Sequence, residues 1–383
     1  MRPDVDLLIL GGGCTGLSLA ANLDSKGLNL PRTLILEQRT HYTNDRTWCF
    51  WGDDATPYAA LATHQWSSFN IRHGSEQVHK QCAMTPYRML ESSRFYDATI
   101  SKIKRSPHIE LKLGERVIAE PVHRMGRWHI DTVDGPVSAK LVVDTRPRIQ
   151  ASLGGAVLWQ SFYGHEIECV DAVFDPSCVD LMDFALEATD GVAFTYVLPL
   201  TPTRALVEFT VFSENPLSAD SLQDALIGAI SDRVRGAEYH ILRSESGILP
   251  MGLTGSASHE ESGSYCRVGL SAGAGRPATG YAFQRIQQWS QRCAQALLSG
   301  SLPLGHSSDP FLLRKMDHLF LNVLRSHPKL GPALFTGLFS KLDSQKMIRF
   351  LSDQGTLADY AAVVLALPSK LFISELFKKQ RPS

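Results

Sequence analysis

The sequence predicts an α/β fold, with a Rossmann-like dinucleotide-binding layer, a β-sheet inserted in its middle and helices at its end. Three observations carry this. A glycine-rich turn joins an apolar strand to a helix near the N-terminus; short apolar or alternating runs fill the middle; and helical periodicity takes over from about residue 281.

"DLLIL" (6–10) is a continuous apolar run of the kind found in buried parallel strands. "GGGCTGLSLAANLDSKG" (11–27) follows as a turn and a helix with Leu17, Leu19, Ala20 and Leu23 apolar, Gly27 near its C-terminus and Pro31 beyond; "TLILE" (33–37) is the second strand. "HIELKL", "RWHIDTV", "AKLVVDT", "AVLWQSFYGHEIEC", "TYVLPL", "RALVEFTVFS" and "YCRVGLS" read as further strands, and "YAFQRIQQWSQRCAQALLSG" as a helix. Helices broken at Pro328, Pro332, Gly355 and Pro368 complete the chain. The order divides it into a dinucleotide-binding domain (1–150), a β-rich substrate domain (151–264), a returning part of the first domain (265–305) and a helical region (306–383).

Of the 383 residues, 44% are hydrophobic and 20% charged, ordinary for a globular protein, and a net charge of -1 offers nucleic acid no general attraction. The charge is uneven. Residues 310–383 carry eleven basic and five acidic residues, a net of +6. Together with Phe311, Leu312, Phe320, Leu324, Phe335, Leu338 and Phe339, this suits an anionic membrane surface, and a solvated helical face equally. The longest apolar run, "YAAVVLALP", is far short of the roughly 20 residues that span a bilayer, so the expectation is a cytoplasmic protein peripherally associated with the inner face of the membrane. Seven scattered cysteines without a C-x-x-C pair fit a reducing compartment and predict no metal site.

Gly11, Gly13 and Gly16 form G-x-G-x-x-G between strand and helix, and Glu37 ends the next strand. The first glycine permits the tight turn, the second the approach of a pyrophosphate and the third the packing of helix on strand; Glu37 is placed for a ribose hydroxyl. "GLSAGAGRPATGYAF" (269–283) is a second small-residue loop, and the residues after Pro277 are expected to begin a helix whose N–H groups face a ligand. Two such loops point to FAD rather than NAD alone. In "NDRTWCFW" (44–51), Arg46 stands beside Trp48, Phe50 and Trp51, which serve a core or line a cavity. Asp144 ends a strand and is equally well a surface turn.

Glu208 stands among Leu206, Val207, Phe209 and Val211. Strand alternation puts it on one face with Leu206, Thr210 and Phe212, with no adjacent cation. Such a carboxyl is surface-exposed, hydrogen-bonded, or held protonated with a raised pKa.

Read together, "GGGCTGLSLA", "NDRTWCFW", "LMDFALEATDGVAFTYVLPLTPTRALVEFTVFS", "GILPMGL" and "SAGAGRPATGYAF" resemble the flavin-dependent lycopene β-cyclases of bacteria. The resemblance runs nearly end to end and implies a Rossmann-like FAD-binding fold of the aromatic-hydroxylase/glutathione-reductase type. It implies redox-neutral ring closure of lycopene with Glu208 as the catalytic acid and reduced FAD as counter-charge, with NAD(P)H as its reductant. It implies a flavin site drawn from Gly11, Gly13, Gly16, Glu37, Arg46, Asp144, Gly273, Pro277, Thr279 and Gly280, and a cavity lined by Trp48, Phe50 and Trp51. The chain departs from the family at three points. Phe209 stands where a second acid usually follows the strand Glu, Arg276 where His precedes the late proline, and Asp144-Thr145-Arg146-Pro147 where Asp-Gly-Arg-Gly is usual. A flavin monooxygenase of the aromatic-hydroxylase type, a cyclase of a related isoprenoid and a non-catalytic isoprenoid carrier share the same cofactor fold.

Overall fold

The computed structural model describes residues 4–23, 30–147, 155–186, 191–253 and 263–377; Gly27 lies outside them. Asp4–Leu10 pairs in parallel with Thr33–Glu37 on one side and Val137–Asp144 on the other; Ile109–Leu113 extends the sheet beyond Thr33–Glu37. Tyr265–Arg267 returns late in the chain to pair in parallel with Val142 to Asp144. Leu7 to Leu10 are fully buried, as a parallel strand covered on both faces requires. The helix Cys14–Leu23 packs against Phe283–Leu298.

The second sheet has the order Tyr239–Met251, Leu158–Cys169, Arg204–Ser213, Val192–Pro199, Val179–Asp183, Ser68–His73, Glu76–Gln81. Ser68–His73 and Glu76–Gln81 precede residue 150 yet belong here, because Ser68–His73 pairs in parallel with Val179–Asp183. The division at 150 therefore moves, and the two domains interleave. Thr47–Trp51, Tyr87–Glu91 and His64–Trp66 form a small third sheet.

Arg204–Ser213 is central, and its two faces serve different purposes. Val207, Phe209 and Val211 pack on Leu222, Leu226 and Ile230 of the helix Ala219–Val234, which Ser218 caps by accepting the Ser221 N–H at 3.3 Å. Leu206 and Phe212 share the opposite apolar core with Leu321, Leu324, Phe335 and Leu338 of the helices Phe311–Ser326 and Gly331–Lys341. Each fully buried side chain of this size stabilises by about 1.5–3 kcal/mol. Glu208 lies on the second face, as alternation requires. The helices Ser344–Leu351, Leu357–Ala366 and Ser369–Phe377 complete that side, the second begun by a Thr356–Asp359 capping box.

Candidate functional site

One continuous cavity of about 1930 Å³ runs from the first glycine turn, past Glu208, to the C-terminal helices. At the glycine end, each residue of the turn has a distinct constraint. Gly11 takes φ +98°, and a Cβ at Gly16 would lie 2.0 Å from the Gly11 carbonyl oxygen. Gly13 lines the cavity at the start of Cys14–Leu23, where a Cβ would meet nothing within 4 Å. Open space at a helix N-terminus fits a phosphate. Glu37 accepts the Gly12 N–H at 2.7 Å and the Arg39 N–H at 2.9 Å and faces the same cavity. Arg39, which sequence reasoning passed over, donates to the Gly12 carbonyl at 3.1 Å and lies over the Tyr42 ring at 4.6 Å.

The second loop faces the first across this cavity through Gly269, Leu270, Ser271, Thr279 and Gly280. It is a folded turn rather than a helix start. Arg276 O accepts the Gly280 N–H at 2.9 Å, and the helix begins only at Phe283. Gly280 takes φ +70°, beside Gln160, whose Oε1 is buried, without a partner, and on a residue that lines the cavity. His306 was also missed from sequence: it accepts the Gly269 N–H at 2.9 Å through Nε2, and burial, aided by Arg285 and Arg292, lowers its pKa to about 3, so it stays neutral. The open helix N-terminus, the paired glycine loops, Glu37 and the unpartnered Gln160 oxygen all fit a dinucleotide such as FAD.

Arg46 lines this cavity and donates to Ser246 O at 2.8 Å. Asp144, Gly273 and Pro277 do not reach the wall. Burial alone would raise the Asp144 pKa, but hydrogen bonds from Arg146 at 2.8–2.9 Å and Tyr265 at 2.6 Å hold it below the usual carboxylate range, and the wall is made by Thr145, Arg146 and Pro147. Gly273 ends a single 3-10 turn at φ +83°, and Pro277 is buried with its carbonyl on the Gly252 N–H.

The aromatic triplet also divides. Trp48 lines the cavity, stacked on Phe283 at 5.4 Å. Phe50 stacks on Phe283 within the core shared by the helices Cys14–Leu23 and Phe283–Leu298, and Trp51 packs on Tyr87 and Phe69, so both are core residues. The aromatic wall comes instead from Phe162, Phe194, Tyr196, Phe212, Phe335 and Phe339. Their dispersed positions leave no local motif to read.

Glu208 is 8% exposed and lines the cavity. Its pKa is raised well above the ordinary value, first by burial and then by the Glu245 carboxyl beside it, with Arg243 opposing. Tyr196 is its partner on one neighbouring strand and Gly164 on the other. A buried carboxyl with a raised pKa beside apolar side chains can donate a proton to a substrate that offers no charge of its own.

The family model described as lycopene cyclase protein matches residues 6–375. The chain belongs to the lycopene cyclase family. It is 26% identical over 380 residues to the lycopene beta-cyclase of Pantoea ananas, covering 96% of each chain, and 26% identical over 311 residues to that of Pseudescherichia vulneris, covering 78% of this chain and 76% of the relative. A geranylgeranyl bacteriochlorophyll reductase-like protein from Thermoplasma acidophilum has the same fold, with a TM-score of 0.65 at 13% identity over 98% of this chain and 99% of that one. Within the family, two of this chain's departures now have a place. Phe209 packs toward the helix Ala219–Val234, so an acid there would face away from the cavity. Arg276 is fully buried, paired with Asp317 at 3.1 Å and lying over the Phe350 ring, and ties the second loop to the C-terminal helices.

Proposed function

We propose that this lycopene cyclase closes the linear ends of lycopene to β-rings, with Glu208 as the acid that protonates the terminal alkene. The observation that carries this is a buried carboxyl whose pKa is raised by burial and by Glu245, in a stretch of cavity wall shared with Leu206, Phe194 and Phe212. The proton from Glu208 adds to the alkene, the neighbouring double bond attacks the resulting cation, and a proton leaves the new ring, so no net oxidation occurs. Tyr196 presents its ring beside Glu208, where aromatic π-density favours a cation. Phe194, Phe212, Phe335 and Phe339 exclude water from the cation's path and hold the polyene.

We further propose FAD as the cofactor, held by the glycine turn at Gly11, Gly13 and Gly16, by Glu37 and by the loop at Thr279 and Gly280; in reduced form it would supply negative charge to the site. NAD(P)H as its reductant rests on the family resemblance, and bleaching of the bound flavin by NADH or NADPH under anaerobic conditions tests it. In lycopene-making cells, wild-type protein should yield ring-bearing product and Glu208→Gln should lower it by roughly 10²- to 10⁴-fold, the loss typical of a general acid. Undiminished rings from Glu208→Gln would remove the carboxyl from the chemistry, and substrate-dependent oxygen uptake would favour a monooxygenase.

We also propose that the substrate enters from a membrane surface. Among the described residues no single helix is long and apolar enough to cross a bilayer, while Leu357–Ala366 and Ser369–Phe377 meet at 98°. Leu365 (82% exposed) and Phe377 (84%) stand out from them, and Val364, Ile373 and Leu376 are both exposed and part of the cavity wall. An apolar mouth of this kind suits the bilayer interface.

A further inference from the structure

Glu208 and Glu245 are 37 positions apart in the sequence and two strands apart in the sheet, yet they share one partner. Gly164 stands in register with Glu208 on one side and with Glu245 on the other. Register partners point to the same face, so the two glutamates rise from the cavity side of the sheet with a glycine between them. A Cβ at Gly164 would lie 2.5 Å from Glu208 Cγ, so Glu208 leans across the gap toward Glu245, and both carboxyls face the same cavity. Two carboxyl groups can hydrogen-bond only if one carries a proton.

The charges nearby decide which one. Arg243 pairs with Glu245 and, at 2.5 Å, with Glu166, which also pairs with Arg204. Thr47 donates its hydroxyl to Glu245 Oε2 at 2.7 Å. Arg243 and Arg204 thus pair with Glu166 and Glu245, and among the described residues Glu208 makes no ion pair of its own. The remaining titratable groups around Glu208 are Tyr196 on the other neighbouring strand, Cys49 on Thr47–Trp51, and Tyr87 and Tyr281 behind Tyr196. Burial raises all four, Cys49 and Tyr281 to about 12, so they stay neutral.

We propose that Glu245 is a positioning residue that holds the proton on Glu208: the pair shares one proton across the gap at Gly164, with Glu245 anchored in place by Arg243 and Thr47. This deepens the reading of Glu208 as the acid and rests on it. Two like carboxyls in contact cannot both ionise readily, so Glu208 stays an acid at neutral pH. Once the proton has moved to the alkene, both members carry negative charge facing the cation.

The test is Glu245→Gln in the flavin-loaded protein, read by the infrared band of a protonated carboxyl and by the pH profile of ring formation. In wild type the band should be present at neutral pH and absent from Glu208→Gln. In Glu245→Gln the band, and the alkaline limb of activity, should disappear at a pH lower by at least about one unit, as loss of a like charge requires. Activity below that limb should fall only a few-fold. A role confined to structure would scale the rate at every pH and leave the limb in place; that result overturns the proposal. If Glu245→Gln fails to retain flavin, Glu245→Asp replaces it, and a smaller shift in the same direction is expected. Gly164→Ala, which wedges the pair apart, should move the limb the same way. If Glu208→Gln itself still forms rings, the acid assignment fails instead, a result distinct from an unshifted limb.

Discussion

At the scale of single residues, the site depends on a carboxyl whose surroundings refuse its charge. A group whose folded pKa is raised above its unfolded value of about 4.3 binds more protons folded than unfolded between the two, so stability falls there as pH rises. Burial and Glu245 put Glu208 in this class. Its contribution is therefore complete below about pH 4.3 and lost toward the raised folded pKa, at up to about 1.4 kcal/mol per pH unit. Glu208→Gln has no such slope, and denaturant unfolding should show it gaining on wild type as pH rises from about 5 to about 8. Parallel curves would mean that Glu208 ionises in the folded protein much as it does in the unfolded chain. The face on which Glu208 stands was legible from alternation alone. Glu245 was not, because nothing in "RSESGILPM" says that strand pairing will bring it over Gly164. The alternation of Thr47–Trp51 was equally visible, but not that Phe283 would cover one face and Tyr87 the other.

At the scale of elements, the glycine turn was the most legible part, since strand, turn, helix and second strand are contiguous. Its glycines nevertheless differ in what they protect. A Cβ at Gly13 meets no protein atom within 4 Å, so in Gly13→Asp the helix should form while the carboxylate occupies the phosphate position. The purified variant should keep its far-ultraviolet circular dichroism and lose its flavin absorption; a full flavin spectrum would contradict the placement. A side chain at Gly16 would instead collide with the Gly11 carbonyl, so Gly16→Val should damage the fold itself. The second loop was legible in composition but not in shape. Its turn is closed by Arg276 O, and its tether to the helices depends on Asp317, 41 residues on.

At the scale of the whole molecule, the cavity joins a dinucleotide layer to an apolar mouth on the C-terminal helices. The sequence marked that region by charge and apolar content, but chose apolar residues that mostly pack inward. Leu324, Phe335, Leu338 and Phe339 are core, Phe320 is partly buried, and only Phe311 and Leu312 are exposed. Amphipathic helices advertise a face without saying whether protein or membrane covers it. Leu365→Glu combined with Phe377→Glu should weaken flotation with anionic liposomes, as should raised salt, while bound flavin is unchanged. Flotation indifferent to both would argue against a membrane mouth.

In this mechanism a carboxyl proton passes to carbon with no net electron transfer. Ring formation from lycopene in deuterated water tests it most directly, by mass spectrometry of the product. One deuterium per ring, an unchanged flavin redox state after turnover, and no labelled ring from Glu208→Gln are expected. Product without deuterium, or labelled rings from Glu208→Gln at the wild-type rate, would contradict it.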